Sequence, residues 1–515
     1  MYDRTDGPEV DALGSAVAWA LDALPEASRT LLEVASLLPD GLALDSFAPL
    51  GGTTSGEARQ MMSPLLQGRL LATSGLGAGV VRYRPLEPVR EIVEAGLRDD
   101  VRRARTDVAV GRLRAIARAV GGLEGMTNHR AMAAAEAELG NVRHWVARTV
   151  GSEEGLDLAV EMAVPMAEFG LGAEGAVWLD EHLGALTDPD PFLWAKAILA
   201  RVVVRGFFSG TTDTPHDLDV AANITREREE RQVWLALRAR GALARLWGGD
   251  LAAGAAMVDD AETLAVVRAM RDPWVDAQLE RIRAMFLAAR GQFGASLDLL
   301  QMVTSRFHEL DDASSVLSSL YLRAYFARIS GDDERSAAEL LLAREMCFTG
   351  AARATQALVS AELAQHERRM GEERALVTLS EAIDALERAG NLRAAAVARR
   401  DLGSWRLADG DPTGVDDLGA ALPTLLRTDR LAAGPALAEI AAAVAPDQAE
   451  RAGLLAGAAR HVMRTAPGTS PASLERSRLW SLIQQLTAEQ PAAAGAGAAL
   501  DDEALVALAA GRASV

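Results

Sequence analysis

Seven histidines, one cysteine and several adjacent carboxylates are the residues in this sequence whose types could do chemistry. The histidines stand at 129, 144, 182, 216, 308, 366 and 461. No two are four apart and no His-Glu-x-x-His occurs, so the spacing that puts two imidazoles on one helix face around a metal is missing. They read as surface or interface histidines. A single cysteine, Cys347, excludes a disulfide framework and any multi-cysteine zinc or iron–sulfur site. Beside Phe348 it reads as a buried small hydrophobe in mid-helix. The pairs Asp259-Asp260 and Asp416-Asp417 read as solvated helix faces. No Gly-x-Ser-x-Gly elbow occurs. The turn Gly75-Leu76-Gly77-Ala78-Gly79 would need a following helix N-terminus to cradle phosphate, and it lies between β-branched segments instead. There is no Gly-Lys-Ser/Thr, and the one lysine, Lys196, sits in the helical run PFLWAKAIL. These residues predict no catalytic constellation, no metal and no cofactor; the chain is expected not to be an enzyme.

The 515 residues are 49% hydrophobic and 24% charged, with aromatics at only 4%. This is a globular balance built on Ala and Leu. A net charge of −19, from 53 basic and 72 acidic residues, argues against nucleic acid or an anionic membrane as the main partner. The basic side is almost all Arg, which reads as the codon bias of a GC-rich bacterial genome. No stretch reaches the roughly 18 to 20 uncharged apolar residues of a spanning helix. The acidic start MYDRTDGPEVDALG lacks a signal-peptide pattern, so a cytoplasmic location is expected.

Glycines closing Ala/Leu-rich runs recur at 172, 210, 249, 291, 331, 371 and 410, with gaps of 38 to 42 residues. Asp follows at 250, 332 and 411. Gly in the left-handed position past one helix, with Asp capping the next, is the chemistry of a tight helix–turn–helix. A second set of breaks falls midway, at Asp272-Pro273, Asp311-Asp312, Thr349-Gly350 and Gly390-Asn391. Each unit therefore holds two helices of roughly 25 Å, with apolar residues at three-and-four spacing. No strand alternation is read from about residue 106 onward. The prediction is an α-solenoid of antiparallel helix pairs.

The first hundred residues read differently. Helical patterns cover Leu13 to Leu24, Pro25 to Leu38 and Ser55 to Leu66. Leu70 to Thr73 and Val80 to Arg84 then flank the Gly-rich turn as a hairpin, and Arg90 to Leu97 resumes a helix. Three helices and a two-stranded wing make a winged-helix pattern. The third helix offers only Arg59 as a cation, too few contacts for a DNA-recognition helix. The Arg98–Arg118 stretch reads as a solvated linker helix.

Two resemblances follow from these registers. The first is tetratricopeptide-like: seven residues before each closing Gly stand Ala242, Ala284, Ala324, Ala364 and Gly403, and five after stand Gly254, Ser296 and Ser336, with the pattern shifting near Arg374-Ala375 and Val415. The second is to the actinobacterial STAND-class (AfsR/LuxR-type) regulatory ATPases, in which an ATPase module precedes a winged helix and such repeats. WALDALPEASRTLLEVASLLPDGLALDSF (19–47) resembles the opening of that winged helix. VRYRPLEPVREIVEAGL (81–97) is similar to its wing and exit helix. AEAELGNVRHWV (135–146) is similar to the Glu-x-x-Asn-Leu segment that begins the repeats, and LLAGAARHVMRTAP (454–467) to the closing ones. The P-loop of that family is missing, as is a DNA-binding output domain, so the chain reads as the winged-helix and sensor portion alone.

The expected fold is thus all-α: an N-terminal winged helix with a small β-hairpin wing over 1–105, a tetratricopeptide-like α-solenoid over 106–490, and a flexible joint with a C-terminal helix over 491–515. The expected role is a non-enzymatic regulatory or sensor protein whose superhelix binds a protein, peptide or small ligand in transcriptional or signalling control. A free-standing scaffold or adaptor for complex assembly, or a winged-helix DNA-binding regulator, are the alternatives. A protein or peptide is the expected partner, with a separate P-loop ATPase and an anionic small ligand as further candidates; nucleic acid is disfavoured and no membrane is expected. The resemblance to tetratricopeptide arrays implies that the first helix of each pair lines the concave surface. Its register assigns Gln278, Arg281, Tyr321, Tyr325, Arg328, Gln365, Arg368, Arg369 and Arg400 to one ligand strip, rich in the residue types that anchor interfaces.

Overall fold

The computed structural model describes residues 8–43, 46, 54–77, 80–123, 125–205, 215–247, 250–347, 353–465 and 478–512. The expected turns at Gly210, Gly249 and Thr349-Gly350, and the tip of the Gly75–Gly79 turn, lie outside them. Among the described residues the chain is all-α apart from one small sheet, and it divides into two compact units. One comprises 1–121, 128–165 and 178–189; the other comprises 122–127, 166–177 and 190–515.

In the first unit, helices run Pro8–Asp22, Glu26–Ser36 and Ser55–Gln67. Thr54 and Glu57 close the third in a reciprocal capping box, which fixes where it starts. The hairpin Leu71–Gly77 with Val80–Pro85 is present, and a third strand absent from the sequence reading, Leu42–Ala43, pairs antiparallel with its second arm. That short strand depends on Gly41. At φ +71 a Cβ there would meet the carbonyl oxygen of Tyr83 at 2.6 Å, so only glycine lets the strand approach. Leu31, Leu32, Leu38, Leu42, Met62 and Leu65 form the core beneath.

This unit extends past the expected boundary at 105, and its polar interior gives the reason. Arg82 of the hairpin is buried, donating to the carbonyls of Asp40 (3.0 Å), Gly41 (2.6 Å) and Ala137 (2.5 Å) and pairing with Glu138 at 3.2 Å. Asn141 donates to Gly41 O and Glu138 and accepts from the amide of Asp40. Trp145 donates to Leu37 O at 2.9 Å. The helix Leu139–Arg148 is therefore tied to the strand region rather than opening the repeats. The Arg98–Arg118 stretch is not a solvated linker either. It forms the helix Asp99–Val120, whose arginines pair with Glu33, Asp157 and Glu161.

In the second unit the pairs succeed one another as Arg231–Trp247, Pro273–Ala289 with Phe293–Glu309, Ala313–Ser330 with Asp333–Cys347, Arg353–Arg369 with Ala375–Arg388, and Leu392–Ala408 with Gly414–Thr428. The closing glycines 291, 331, 371 and 410 have φ between +74 and +87, as the turn chemistry requires. Asp250, Asp332 and Asn391 accept from amides three residues on. The small-residue register is where paired helices touch: Ser296 donates to Ala284 O at 2.7 Å, and a Cβ on Gly254 would come within 2.8 Å of Ala242 O. After Gly371 and Gly410 the contact shifts by one residue, to Ala375 and Gly414, both buried. The second helix of the Arg231 pair is broken: Leu251–Asp259 stops and Asp260 caps Ala261–Met270.

Several sequence expectations fail here for identifiable reasons. Asp259 and Asp260 are not simply solvated, since they pair with Arg283 and Arg238, and buried Asp417 pairs with Arg406 at 2.5 Å. Cys347 ends its helix and is half-buried. Residues 491–499 are not a flexible joint. Pro491–Gly497 is a helix packed on Ala449–Thr465 so closely that a Cβ on Gly457 would lie 2.0 Å from Ala494 O, and one on Gly497 2.0 Å from Leu454 O. The small residues that look like low complexity are what permits the backbones to meet.

Non-neighbouring parts of the second unit also touch. Ser314 donates to Glu168 at 2.9 Å, and a Cβ on Gly172 would lie 2.3 Å from Ala389 O.

Candidate functional site

Helices of the second unit line an open cavity of about 850 Å³, within the roughly 300–1,000 Å³ range of small-molecule sites. It is lined mainly by the first helices of successive pairs, from Arg231–Trp247 through Leu392–Ala408, with Leu379 and Leu386 of the second helix Ala375–Arg388, and by the Arg427–Ala432 segment beyond. Counted back from the closing glycines, the lining positions recur: two before (Trp247, Ala289, Ile329), six before (Tyr325, Gln365), nine and ten before (Tyr321, Leu322, Ala361, Glu362, Arg400, Asp401). That is one helix face at three-and-four spacing.

The nine predicted residues separate. Tyr321, Tyr325, Arg328, Gln365 and Arg400 line the cavity. The rings of Tyr321 and Tyr325 stack with centroids 6.1 Å apart, and the Arg328 guanidinium lies 5.3 Å from the Tyr325 centroid. Burial pushes both tyrosine hydroxyls above the usual phenol range, Tyr321 strongly, with Glu362 adding to the effect. Arg328 forms a two-bond fork with Glu362 at 2.7 and 3.0 Å. Burial opposes its charge, but Glu362 more than offsets this and holds the guanidinium more firmly protonated than usual. Gln365 donates to Asp401 at 2.6 Å, and Arg400 pairs with Asp401. Burial opposes the charge of Arg400 as well, yet Asp401, with Asp429 and Glu439, raises its pKa.

Gln278, Arg281, Arg368 and Arg369 do not line this cavity. Gln278 donates to Ser315 at 3.1 Å and accepts from Arg281 at 2.5 Å. Arg281 is buried over the Phe307 ring at 5.4 Å, and burial pulls its pKa down to about 10 against the pull of Asp312. Arg368 forks onto Asp409 at 2.7 and 2.9 Å beside Trp405, and Arg369 pairs with Asp333. Asp409 and Asp333, from other parts of the chain, supply carboxylates to Arg368 and Arg369, a pairing that a one-helix register cannot show.

Sequence reasoning missed the other half of the site. Trp247 and Arg393 meet across it, the guanidinium 4.2 Å from the ring centroid. Arg393 also bonds Asp429 at 2.5 Å. Glu362, Asp401 and Asp429 supply the negative charge, while Arg427, exposed at the end of its helix, lines the cavity with no ion pair among the described residues. The nine-before position, which gives Glu362 and Asp401, was legible as one turn along the same face as Tyr325 and Gln365. Trp247 was legible as the equivalent of Ile329.

Among the described residues no group of three or more His, Cys, Asp or Glu could hold a metal ion, and no helix is long and apolar enough to cross a membrane. Buried His182 donates from Nε2 to Val146 O at 3.1 Å, and burial holds its pKa below the usual imidazole range.

No protein-family model matches the chain, and no curated protein matches it. Among solved structures, it is similar to a signal transduction ATPase with numerous domains (STAND) protein with a tetratricopeptide repeat sensor from Pyrococcus horikoshii, at 14% identity and a TM-score of 0.47, over 82% of this chain. The match spans 60% of that protein's length.

Proposed function

We propose that this chain is a non-enzymatic regulatory protein whose helical repeats recognise a protein, peptide or small ligand on their inner faces. The observation that carries this reading is the convergence of Tyr321, Tyr325, Arg328, Gln365 and Arg400 with Glu362, Asp401 and Arg393 around one cavity. Planar cations, carboxylates and rigid aromatics together are the recognition groups of an interface. None of them forms a nucleophile–base pair, which is why the reading is recognition rather than turnover. A transcriptional or signalling setting, and a cytoplasmic one, belong to the same proposal. A DNA-binding role is disfavoured by the helix Ser55–Gln67, whose one arginine is Arg59.

The test is genetic. A strain lacking the gene is complemented with the full chain or with a Tyr325→Ala/Gln365→Ala variant whose circular dichroism matches the parent. A transcript profile restored by the parent and not by the variant is the expected result. Equal restoration, or no change on deletion, overturns the reading.

A further inference from the structure

The cavity carries a more specific inference, which rests on the reading just given. Its walls are mainly apolar, with Trp247, Tyr325 and Phe326 presenting aromatic surface. Two lining groups lack a protein partner among the described residues. The indole Nε1–H of Trp247 is buried and meets no acceptor. Exposed Arg427 lines the cavity without a carboxylate partner among the described residues, whereas Arg328, Arg393 and Arg400 each have one. A buried donor left unpaired is costly, so an occupant that brings an oxygen acceptor is favoured. A guanidinium with no carboxylate partner favours an anion.

The shape of the site selects the size of that occupant. Trp247 and Arg393 belong to the helices Arg231–Trp247 and Leu392–Ala408, which are separated in the chain by three full helix pairs, yet they stack at 4.2 Å. An extended peptide running along the inner faces has to pass this contact. A compact molecule does not, and about 850 Å³ accommodates one of ordinary ligand size. We infer that the cavity is a small-molecule site for a compact aromatic anion, a planar ring bearing a carboxylate or similar acid, with the ring against Trp247 and Tyr325, the acid at Arg427, and a ligand oxygen accepting from the Trp247 indole.

The probe is anilinonaphthalenesulfonate, an aromatic anion that fluoresces on apolar surfaces, titrated into the full chain. One saturable site is expected, displaced by naphthoate and not by uncharged naphthalenemethanol. Arg427→Gln, at an exposed position where folding is not at stake, is expected to weaken naphthoate about tenfold, the size of one lost charged contact. Trp247→Phe keeps the ring, removes the N–H, and is expected to weaken it several-fold. Many weak sites, equal displacement by the neutral analogue, or unchanged affinity in both variants overturns the inference. Displacement of the probe by an acidic hexapeptide and not by naphthoate also overturns it, in favour of a peptide groove. The genetic test is independent: a complementing chain that binds no aromatic anion sinks this inference and leaves the regulatory reading standing.

Discussion

Arg82 on the hairpin and Glu138 before the Leu139 helix meet at 3.2 Å with both side chains almost wholly buried, and Asn141 shares the same carboxylate at 2.7 Å. Glu138 and Asn141 are the Glu and Asn of the Glu-x-x-Asn-like segment in the sequence, so that motif is a structural tie between the strand region and the helix that follows.

Breaking this tie on one side is expected to cost about 3–5 kcal/mol, because the surviving charge stays buried. Glu138→Ala and Arg82→Met are each expected to lower the denaturant midpoint of the first unit. The double variant Arg82→Met/Glu138→Ala is expected to lose less than the sum. Strict additivity in urea titrations counts against a direct coupling.

His182 gives the first unit a pH dependence. Burial lowers its folded pKa below the unfolded value. Below the unfolded pKa of about 6.5 the open chain takes up a proton that the folded chain resists, so this contribution to stability is present above that pH and is lost on acidification toward the folded pKa. Midpoints measured from pH 7.5 to 5 are expected to fall, and His182→Asn is expected to flatten the slope. An unchanged slope counts against the assignment.

At the C-terminus, Gly457→Val places a side chain where Ala494 O now lies 2.0 Å from the ideal Cβ. Overpacking of this kind costs typically about 1–3 kcal/mol. Faster amide exchange across residues 491–497 is the expected readout. Exchange as slow as in the parent shows that the two helices separate without penalty.

Mg-ATP is expected not to bind with micromolar affinity, since no Gly-Lys-Ser/Thr occurs and Lys196 lies within the helix Pro191–Val204. Isothermal titration calorimetry decides this. Heats fitting a micromolar site mean that the chain binds nucleotide without a P-loop.

The helix pairs were legible because their turns are local chemistry: a glycine forced to positive φ and an aspartate capping within three residues leave a mark at fixed spacing. The tie at Arg82 was not, because its partners lie more than forty residues away. The cavity was half legible. Tyr321, Tyr325 and Gln365 share a face that periodicity reveals, whereas the fate of Arg281 and Arg368 depended on Phe307 and Asp409 from other parts of the chain. The Pro491–Gly497 helix was misread for a related reason. Alanine and glycine look permissive when read alone, and become a close-packing surface only when the Ala449–Thr465 helix lies against them.

A chain of stacked repeats that touch only their neighbours behaves as a spring: it stretches, tolerates the insertion of a unit, and melts from its ends. The contacts of Trp247 with Arg393, Ser314 with Glu168 and Gly172 with Ala389 remove that behaviour from the second unit. They stitch early residues to late ones, so an added or deleted helix pair would displace every stitch at once. The number of pairs between Trp247 and Arg393 is thereby fixed, and with it the span of the cavity they line.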